Sequence, residues 1–371
     1  MADKRWDALG FAFSMTSAGA IALSARLGAV HFGIRVSASL KAYSYDVLLT
    51  FTNQKISVFL RRICFSITAR CGLPVSIQIL YNQSVIEEAE MEFREDVRPS
   101  PIEGTWYNAN WVRLASEIDA YLQSAKISPD EYEGKLVGLV APHAGHRFSG
   151  RTAAYAYRLA QNYPRKLAVI FSPFHHYTTA ELITTAHRAY ETPLGEVAVD
   201  TAALSTLDEK LKASGLRLVQ VAEDDEHAIE IQLPFLQYIW KFSFKLIPLM
   251  VRSYNPSVLK QLATALYETI KERDFLLIAS TDLSHFYPLD YAETLDAEML
   301  KRIKDIDPEG VLKAEAEGSG SACGAGGVAA MLWTAKMAGA NKAYILNYST
   351  SADTTQDRAS VVGYGAAAIF S

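Results

Sequence analysis

The stretch KLVGLVAPHAGHRFSGRTAAYAYRLAQ, residues 135–161, joins a strand pattern to a helix pattern through a loop with two histidines. Residues 135–142 form a continuous apolar run, which is typical of a strand buried on both faces of a sheet. Residues 149–161 have helical spacing, and Ser149 is a candidate N-cap. A buried strand followed directly by a helix predicts an α/β fold with parallel strands.

The same alternation continues to the end of the chain. The spacing predicts further strands at 166–173, 244–251, 274–280, 342–349 and 360–370, and further helices at 200–214, 257–271, 292–306 and 326–339. No internal repeat interrupts this order. We therefore expect a single α/β domain with a largely parallel or mixed central sheet and helices on both faces.

Composition excludes several classes of protein. The chain has 371 residues, of which 50% are hydrophobic and 21% charged, so it is globular rather than disordered. A net charge of −5 argues against a general nucleic-acid binder. The three cysteines, Cys64, Cys71 and Cys323, form no CxxC motif. This sparse set favours a reducing compartment and predicts a cytoplasmic location.

The first 90 residues differ from the rest of the chain. Residues 1–86 hold nine Lys/Arg and three acidic residues, whereas the remainder is acidic, and residues 8–25 carry no charge. Such a run is consistent with a targeting segment, or with a start codon assigned upstream of Met91. We assign no chemistry to residues 1–90 and expect residues 91–371 to form the α/β domain, without a membrane segment.

Polar residues follow three of the predicted strands. His143 and His146 come after the first strand, His175 and His176 after the second, and Asp282 and His285 after the strand at 274–280. Ligands of open α/β sheets bind beyond the carboxyl ends of the strands, so these side chains predict a site there. Neighbouring side chains on extended backbone point in opposite directions, so at most one of His175 and His176 faces that site.

Two further segments are candidates for the same site. In AEDDEHAIEIQLPF, residues 222–235, Asp224 or Asp225 is expected to cap a helix that Pro234 ends or kinks. His227 gains nothing from the helix dipole there, which favours a role in the site. In GSGSACGAGG, Cys323 precedes a helix, where a thiol has a lowered pKa, although a small buried cysteine would also fit. The surrounding glycines allow close approach to the backbone.

Eight motifs over about residues 97–371 occur in the order seen in the Memo family, which is named after a mediator of ErbB2-driven cell motility. They are GTWYNAN, APHAGHRFSG, SPFHHY, ETPLGEVAVD, DEHAIEIQLPFLQ, STDLSHF, ACGAGG and VVGYGAAAI. Their spelling resembles the prokaryotic branch, such as protein B of the AmmeMemoRadiSam system. The resemblance implies a fold like that of class III extradiol dioxygenases, which are non-haem iron enzymes, and a functional link to a radical-SAM protein.

The resemblance also implies a metal cleft. His143, His175 and Cys323 match the family's metal ligands, for which iron or copper is implied. Asp282, His285 and His227 match motif positions at the same cleft. The sequence departs from the family pattern at His146, Phe174 and Ala228, which affects the expected shape and polarity of the pocket mouth but not the ligands.

The ligand chemistry leaves the third ligand open between Cys323 and Asp282. Two histidines and a thiolate suit iron, copper or zinc, whereas two histidines and a carboxylate form the facial triad of iron oxygenases. Our main hypothesis is a dioxygenase-like redox enzyme that binds a divalent metal, iron, and acts on a small molecule. His285 or His227 would transfer protons.

Two alternatives belong to other functional classes. The first is a zinc hydrolase on the same ligands, with Asp282 as the base that assists a metal-activated water. The second is a non-catalytic binding or signalling module with a vestigial metal cleft, which recognises a peptide. In that module the aromatic residues Trp106, Tyr107 and Phe174 would matter more than the ligands.

Overall fold

The computed structural model describes residues 10–15, 20–27, 30–37, 65–68, 74–77, 91–128 and 131–371. The chain divides into two compact units, Met1–Glu88 and Ala89–Ser371. Cys64, Cys71 and six residues of the uncharged run (8, 9 and 16–19) lie outside the described residues. The interpretation of residues 1–90 as an extension or targeting segment stays a prediction.

The first unit contains five described strands. Strands β1 (Gly10–Met15), β2 (Ala20–Leu27) and β3 (Val30–Ser37) form an antiparallel sheet, and β4 (Phe65–Thr68) pairs antiparallel with β5 (Pro74–Ile77). The uncharged run therefore includes β1 and most of β2.

The second unit is built on one sheet of twelve strands. Its strands are β6 (Arg94–Arg98), β7 (Leu136–Ala141), β8 (Leu167–Ser172), β9 (Leu182–Thr185), β10 (His187–Thr192), β11 (Gly195–Val199), β12 (Val219–Val221), β13 (Lys245–Val251), β14 (Phe275–Ser280), β15 (His285–Tyr287), β16 (Lys342–Thr350) and β17 (Val361–Phe370). The main order is β15-β17-β7-β14-β8-β13-β11-β10-β6, with β16 beside β17, β9 beside β13 and β12 beside β9. The central strands β7, β14, β8 and β13 are parallel, and β17 joins them antiparallel. The sheet is therefore mixed, as predicted.

Helices cover this sheet. They are α1 (Trp111–Ser124), α2 (His146–Ala160), α3 (Thr201–Lys212), α4 (Leu233–Trp240), α5 (Pro256–Ile270), α6 (Leu289–Lys304), α7 (Pro308–Glu317), α8 (Ala325–Met337) and α9 (Ala352–Thr355). Helix α8 packs on the central strands beneath α5 and α7, whereas α1, α2 and α4 pack together on the other face. Every residue of β7, β8 and β14 is buried, which confirms the interpretation of their apolar runs. In the described ranges, every helix is too short or too polar to cross a lipid bilayer.

Two predicted helix boundaries are wrong. Helix α2 begins at His146, not near Ser149, because the His146 N–H donates to the Trp106 carbonyl and needs no side-chain cap. Ser149 instead donates to the carbonyl of Ala144 at 2.7 Å. Pro234 lies in the first turn of α4 and begins that helix rather than ending it. A proline is tolerated there because first-turn N–H groups have no partner within the helix.

Candidate metal centre

Three neighbouring parallel strands bring their carboxyl ends to one cleft of about 470 Å³. His143 follows β7, His175 follows β8, and Asp282 follows β14. These residues line the cleft together with His227 and His285. These predicted residues therefore lie together at one cleft, and the cause is the parallel pairing of β7, β14 and β8.

The paired histidines separate as the alternation of side chains predicts. The His175 ring is about one third exposed and lines the cleft. His176 does not line it, and its Nε2 lies 2.9 Å from the carboxylate of Asp225 on the protein surface. His146 is also outside the cleft: it is buried between aromatic rings, with Nε2 3.2 Å from the carbonyl of Ile231.

Three ring nitrogens lie close enough to share an ion. Potential ligand atoms of His143, His175 and His227 all lie within 4.8 Å of one another. The His143 ring is nearly perpendicular to His175, at 84°, with centroids 5.3 Å apart. His227 instead stacks on His175 at 14°, with centroids 4.7 Å apart. His227, which the sequence predicted as a proton-transfer residue, is therefore the third member of the cluster that could hold an ion.

Hydrogen bonds fix the tautomer of His143. Its Nδ1 lies 3.3 Å from Ser280 Oγ. That hydroxyl donates to the Ala228 carbonyl and accepts from the Gln232 amide, so toward His143 it can only accept. The proton is therefore on Nδ1, and Nε2 carries the lone pair. Burial lowers the pKa of His143 to about 3, which keeps the ring neutral and able to bind a metal.

Glu226 orients His175 in a similar way. Its carboxylate lies 3.0 Å from His175 Nδ1 and accepts the His175 backbone N–H at 2.6 Å. It also accepts the N–H groups of His227 and Ala228, each at 2.9 Å. Burial by itself would raise the pKa of Glu226. The hydrogen bonds from His175 outweigh the effect of burial and lower the pKa to about 2. An ionised Glu226 leaves the Nε2 of His175 free to bind a metal.

The acidic residues around Glu226 do not cap a helix, contrary to the sequence prediction. Helix α4 begins only at Leu233, after a 3-10 turn at Glu230–Gln232. Asp224 pairs instead with the guanidinium of Arg98 at 2.8 Å, and the same group donates to the Glu226 carbonyl at 2.6 Å and to Glu230 at 2.7 Å. Arg98 is 1% exposed. The buried guanidinium of Arg98 therefore pairs with Asp224 and Glu230 in place of a helix cap. Without Arg98, these two carboxylates would be buried and unpaired.

Cys323 lies beside His143 but is not among the residues that line the cleft or form the histidine cluster. Its Sγ is 3.2 Å from Nε2 of His143 and 3.6 Å from the carbonyl of Asp282. The close glycine packing that the sequence predicted is present: a Cβ at Gly324 would lie 2.9 Å from the Ser280 carbonyl. The predicted lowering of the thiol pKa is wrong for the metal-free chain. Burial and the nearby Asp282 raise the pKa of Cys323, although the residue directly precedes α8.

Asp282 and His285 supply proton-accepting groups. One Asp282 oxygen accepts the backbone N–H of His143 at 2.7 Å and that of Ala144 at 3.3 Å, which fixes the loop after β7. Burial raises the pKa of Asp282, against the lowering effect of these hydrogen bonds. Nδ1 of His285 lies 2.9 Å from the Leu283 carbonyl, so it carries the proton and Nε2 is an acceptor.

The sequence profile of Memo-like proteins matches residues 98–368, which include every residue of this centre. The chain belongs to the Memo family. A MEMO1 family protein of Ignicoccus hospitalis is 34% identical over 286 residues, which cover 73% of this chain and 97% of the relative. One from Methanopyrus kandleri is 36% identical over 234 residues, covering 62% and 82% respectively. The crystal structure of an uncharacterized protein of Escherichia coli K12 aligns over 64% of this chain and all of that one, with a TM-score of 0.43 and 14% identity.

Sequence reasoning missed part of this Memo-family centre. It did not find that Arg98, from β6, donates to the Glu226 carbonyl. Nor did it find Ser280, which sets the His143 tautomer, or Tyr364, which lines the cleft from β17. Of the aromatic residues expected around the pocket, Trp106 lines it, whereas Tyr107 and Phe174 are buried. A tyrosine between two glycines in VVGYGAAAI was the one available signal for Tyr364.

Proposed function

We propose that this Memo-family chain binds one divalent metal ion, iron, through His143, His175 and Cys323, and acts as a cytoplasmic redox enzyme on a small molecule. The observation that carries the proposal is the orientation of the two rings. Both histidines hold a proton on Nδ1, toward Glu226 or Ser280, and keep the lone pair of Nε2 for a ligand bond. Ligating histidines in metalloproteins are oriented in this way.

The donor atoms of His143 and Cys323 are spaced for binding to a single ion. Ligand bonds of about 2.0 Å to nitrogen and about 2.3 Å to sulfur place the two donor atoms roughly 3 to 4 Å apart. The His143 Nε2 and Cys323 Sγ are 3.2 Å apart, within that range. His227 is the alternative third ligand, because its ligand atom lies within 4.8 Å of those of His143 and His175. Asp282 is a weaker candidate because one of its oxygens already binds two backbone N–H groups.

The remaining groups have roles in proton transfer. Bound iron would supply one-electron redox chemistry that protein side chains lack. His285 offers the lone pair of Nε2 to a substrate proton, because its other nitrogen is fixed by Leu283. Asp282 lies beside it in the cleft wall with one oxygen committed to the backbone, which leaves the other for the substrate. The aromatic residues Trp106, Phe148 and Tyr364 also line the cleft and offer apolar surface to the substrate.

Elemental analysis of the full chain, purified without chelators and reconstituted with Fe(II) under anaerobic conditions, tests the proposal. We expect near-stoichiometric iron in the wild type and in His176→Ala, and loss of iron in His175→Ala. The two variants change neighbouring histidines, of which only His175 lines the cleft. A wild-type chain without divalent metal would contradict the proposal, and zinc in place of iron would favour a hydrolase.

A further inference from the structure

Gln232 is a buried amide whose hydrogen bonds reach three elements around the centre. It lies in the 3-10 turn before α4 and is 1% exposed. Its Nε2 donates to the Pro142 carbonyl at 2.9 Å and to Ser280 Oγ at 2.8 Å, and its Oε1 accepts from the Tyr157 hydroxyl at 2.6 Å. Protein groups therefore use both protons and the oxygen of this amide, so Gln232 acts on the centre through other residues.

The orientation of the Gln232 amide follows from its partners. A backbone carbonyl only accepts, so the atom beside the Pro142 oxygen must be the NH₂ nitrogen. The amide oxygen then faces Tyr157, whose hydroxyl donates to it. Ser280 accepts from Gln232 and donates to the Ala228 carbonyl. A flipped amide would not satisfy these groups, because its oxygen would face the Pro142 carbonyl.

The peptide group between Pro142 and His143 is held at both ends. Its carbonyl oxygen accepts from Gln232 at 2.9 Å, and its N–H donates to Asp282 at 2.7 Å. Strand β7 ends at Ala141, so the backbone pairing with β14 ends before this peptide group. The two side chains hold the peptide in place of a strand neighbour, and they set the direction in which the His143 ring leaves the strand.

Gln232 also acts on the ring of His143 through Ser280, whose Oγ lies 3.3 Å from Nδ1 of His143. One NH₂ group thus binds both the backbone before His143 and the hydroxyl beside its ring. The turn that carries Gln232 is itself anchored, because Glu230 in the same turn pairs with the buried Arg98 at 2.7 Å. Gln232 therefore connects this buried ion pair to one of the proposed ligands.

We propose that Gln232 is a positioning residue of the metal centre: its NH₂ group holds the Pro142–His143 peptide and Ser280 so that Nε2 of His143 points at the metal. This role rests on the metal centre proposed above and adds a residue that shapes the centre without binding the ion. Gln232→Met keeps the length of the side chain and removes both N–H donors. The His143 ring would then be less well oriented, and the metal would bind more weakly and with a changed geometry.

The test uses the full chain loaded anaerobically with Co(II), whose visible spectrum reports the geometry of its ligands. Wild type, Gln232→Met and Tyr157→Phe are compared by cobalt titration and by urea denaturation. We expect Gln232→Met to bind Co(II) about tenfold more weakly, with shifted visible bands.

Tyr157→Phe is the matched control. It leaves the Gln232 oxygen without its partner and lowers the urea midpoint of unfolding, but the NH₂ group keeps both of its acceptors. We therefore expect this variant to bind Co(II) with wild-type affinity and an unchanged spectrum. Ser280→Ala removes the hydroxyl that Gln232 binds, and it replaces Gln232→Met if that variant does not fold. It should also weaken Co(II) binding and shift the visible bands.

Three outcomes would overturn the proposal. The first is wild-type affinity and an unchanged spectrum in Gln232→Met or Ser280→Ala. The second is an equal loss of affinity in Tyr157→Phe and Gln232→Met, which would show that stability alone governs metal binding. The third is a wild-type chain that takes up no cobalt, which would refute the metal centre itself. The cobalt content of the wild type separates this last failure from a failure of Gln232 alone.

Discussion

Replacing Glu226 by Gln tests whether this carboxylate stabilises the candidate metal centre and orients His175. Glu226 receives four N–H groups: the ring and backbone of His175 and the backbones of His227 and Ala228. A glutamine has one oxygen and one NH₂ group in place of the two oxygens. In either orientation, its NH₂ group faces an N–H donor that the carboxylate had accepted. The substitution therefore removes acceptors without changing the volume of the side chain.

The structure gives the size of the expected loss. The pKa of Glu226 falls from its ordinary 4.5 to about 2, which corresponds to about 3 kcal/mol in favour of the ionised form. Its side chain is 1% exposed, so solvent screening does not reduce this figure much. We expect Glu226→Gln to lower the free energy of unfolding of the metal-free chain by about 3 kcal/mol near pH 7. Without its orienting partner, His175 should bind metal about 10-fold to 100-fold more weakly.

The pH dependence follows from the direction of the shift. Because the folded-state pKa lies below the ordinary value, the stabilisation by Glu226 is complete above about pH 4.5 and is lost as the pH falls through about 2. The difference in unfolding free energy between wild type and Glu226→Gln should therefore be largest near neutral pH and shrink in acid. Urea denaturation at a series of pH values measures it.

Glu223→Gln is the matched control. Glu223 lies three residues earlier, its side chain is 80% exposed, and it pairs with Arg94 at 3.0 Å. An exposed pair contributes little, so this variant should keep both its stability and its metal affinity. If Glu226→Gln bound metal as tightly as Glu223→Gln, the idea that Glu226 prepares His175 as a ligand would be wrong.

Three further predictions concern other parts of the centre. His227→Phe should keep its full metal content in elemental analysis, because the proposed ligands are His143, His175 and Cys323; loss of metal would make His227 the third ligand. The apparent metal affinity of the wild type should rise about tenfold per pH unit near neutrality, because the Cys323 thiol must release its proton to bind the metal. Cys323→Ala should abolish this dependence of metal affinity on pH. Arg98→Lys should lose about 3–5 kcal/mol in urea denaturation, whereas Arg188→Lys at an exposed pair should not.

The sequence by itself determined six of the twelve strands of the second unit (β7, β8, β13, β14, β16 and β17), five of its helices (α2, α3, α5, α6 and α8) and the positions of the candidate ligands along them. The continuous apolar runs of β7, β8 and β14 were correctly predicted as strands buried on both faces, and the residues that follow such strands lie at one edge of a parallel sheet. His143, His175, Asp282 and His285 could be placed at one site for this reason. Local pattern was sufficient because each of these residues is fixed by its distance from the end of its own strand.

Only the tertiary structure decided which groups form hydrogen bonds to these residues and how the histidine rings are oriented. The role of Glu226 depends on Arg98, which is 128 residues away along the chain. The acids of residues 223–226 resemble a helix start in sequence, and the buried guanidinium overrides that preference. The pKa of Cys323 likewise depends on burial and on Asp282, not on its place before α8. Tyr364 faces the cleft because Asp296 and Leu300 of α6 fill the space beside its neighbouring glycines, and no local pattern records that packing.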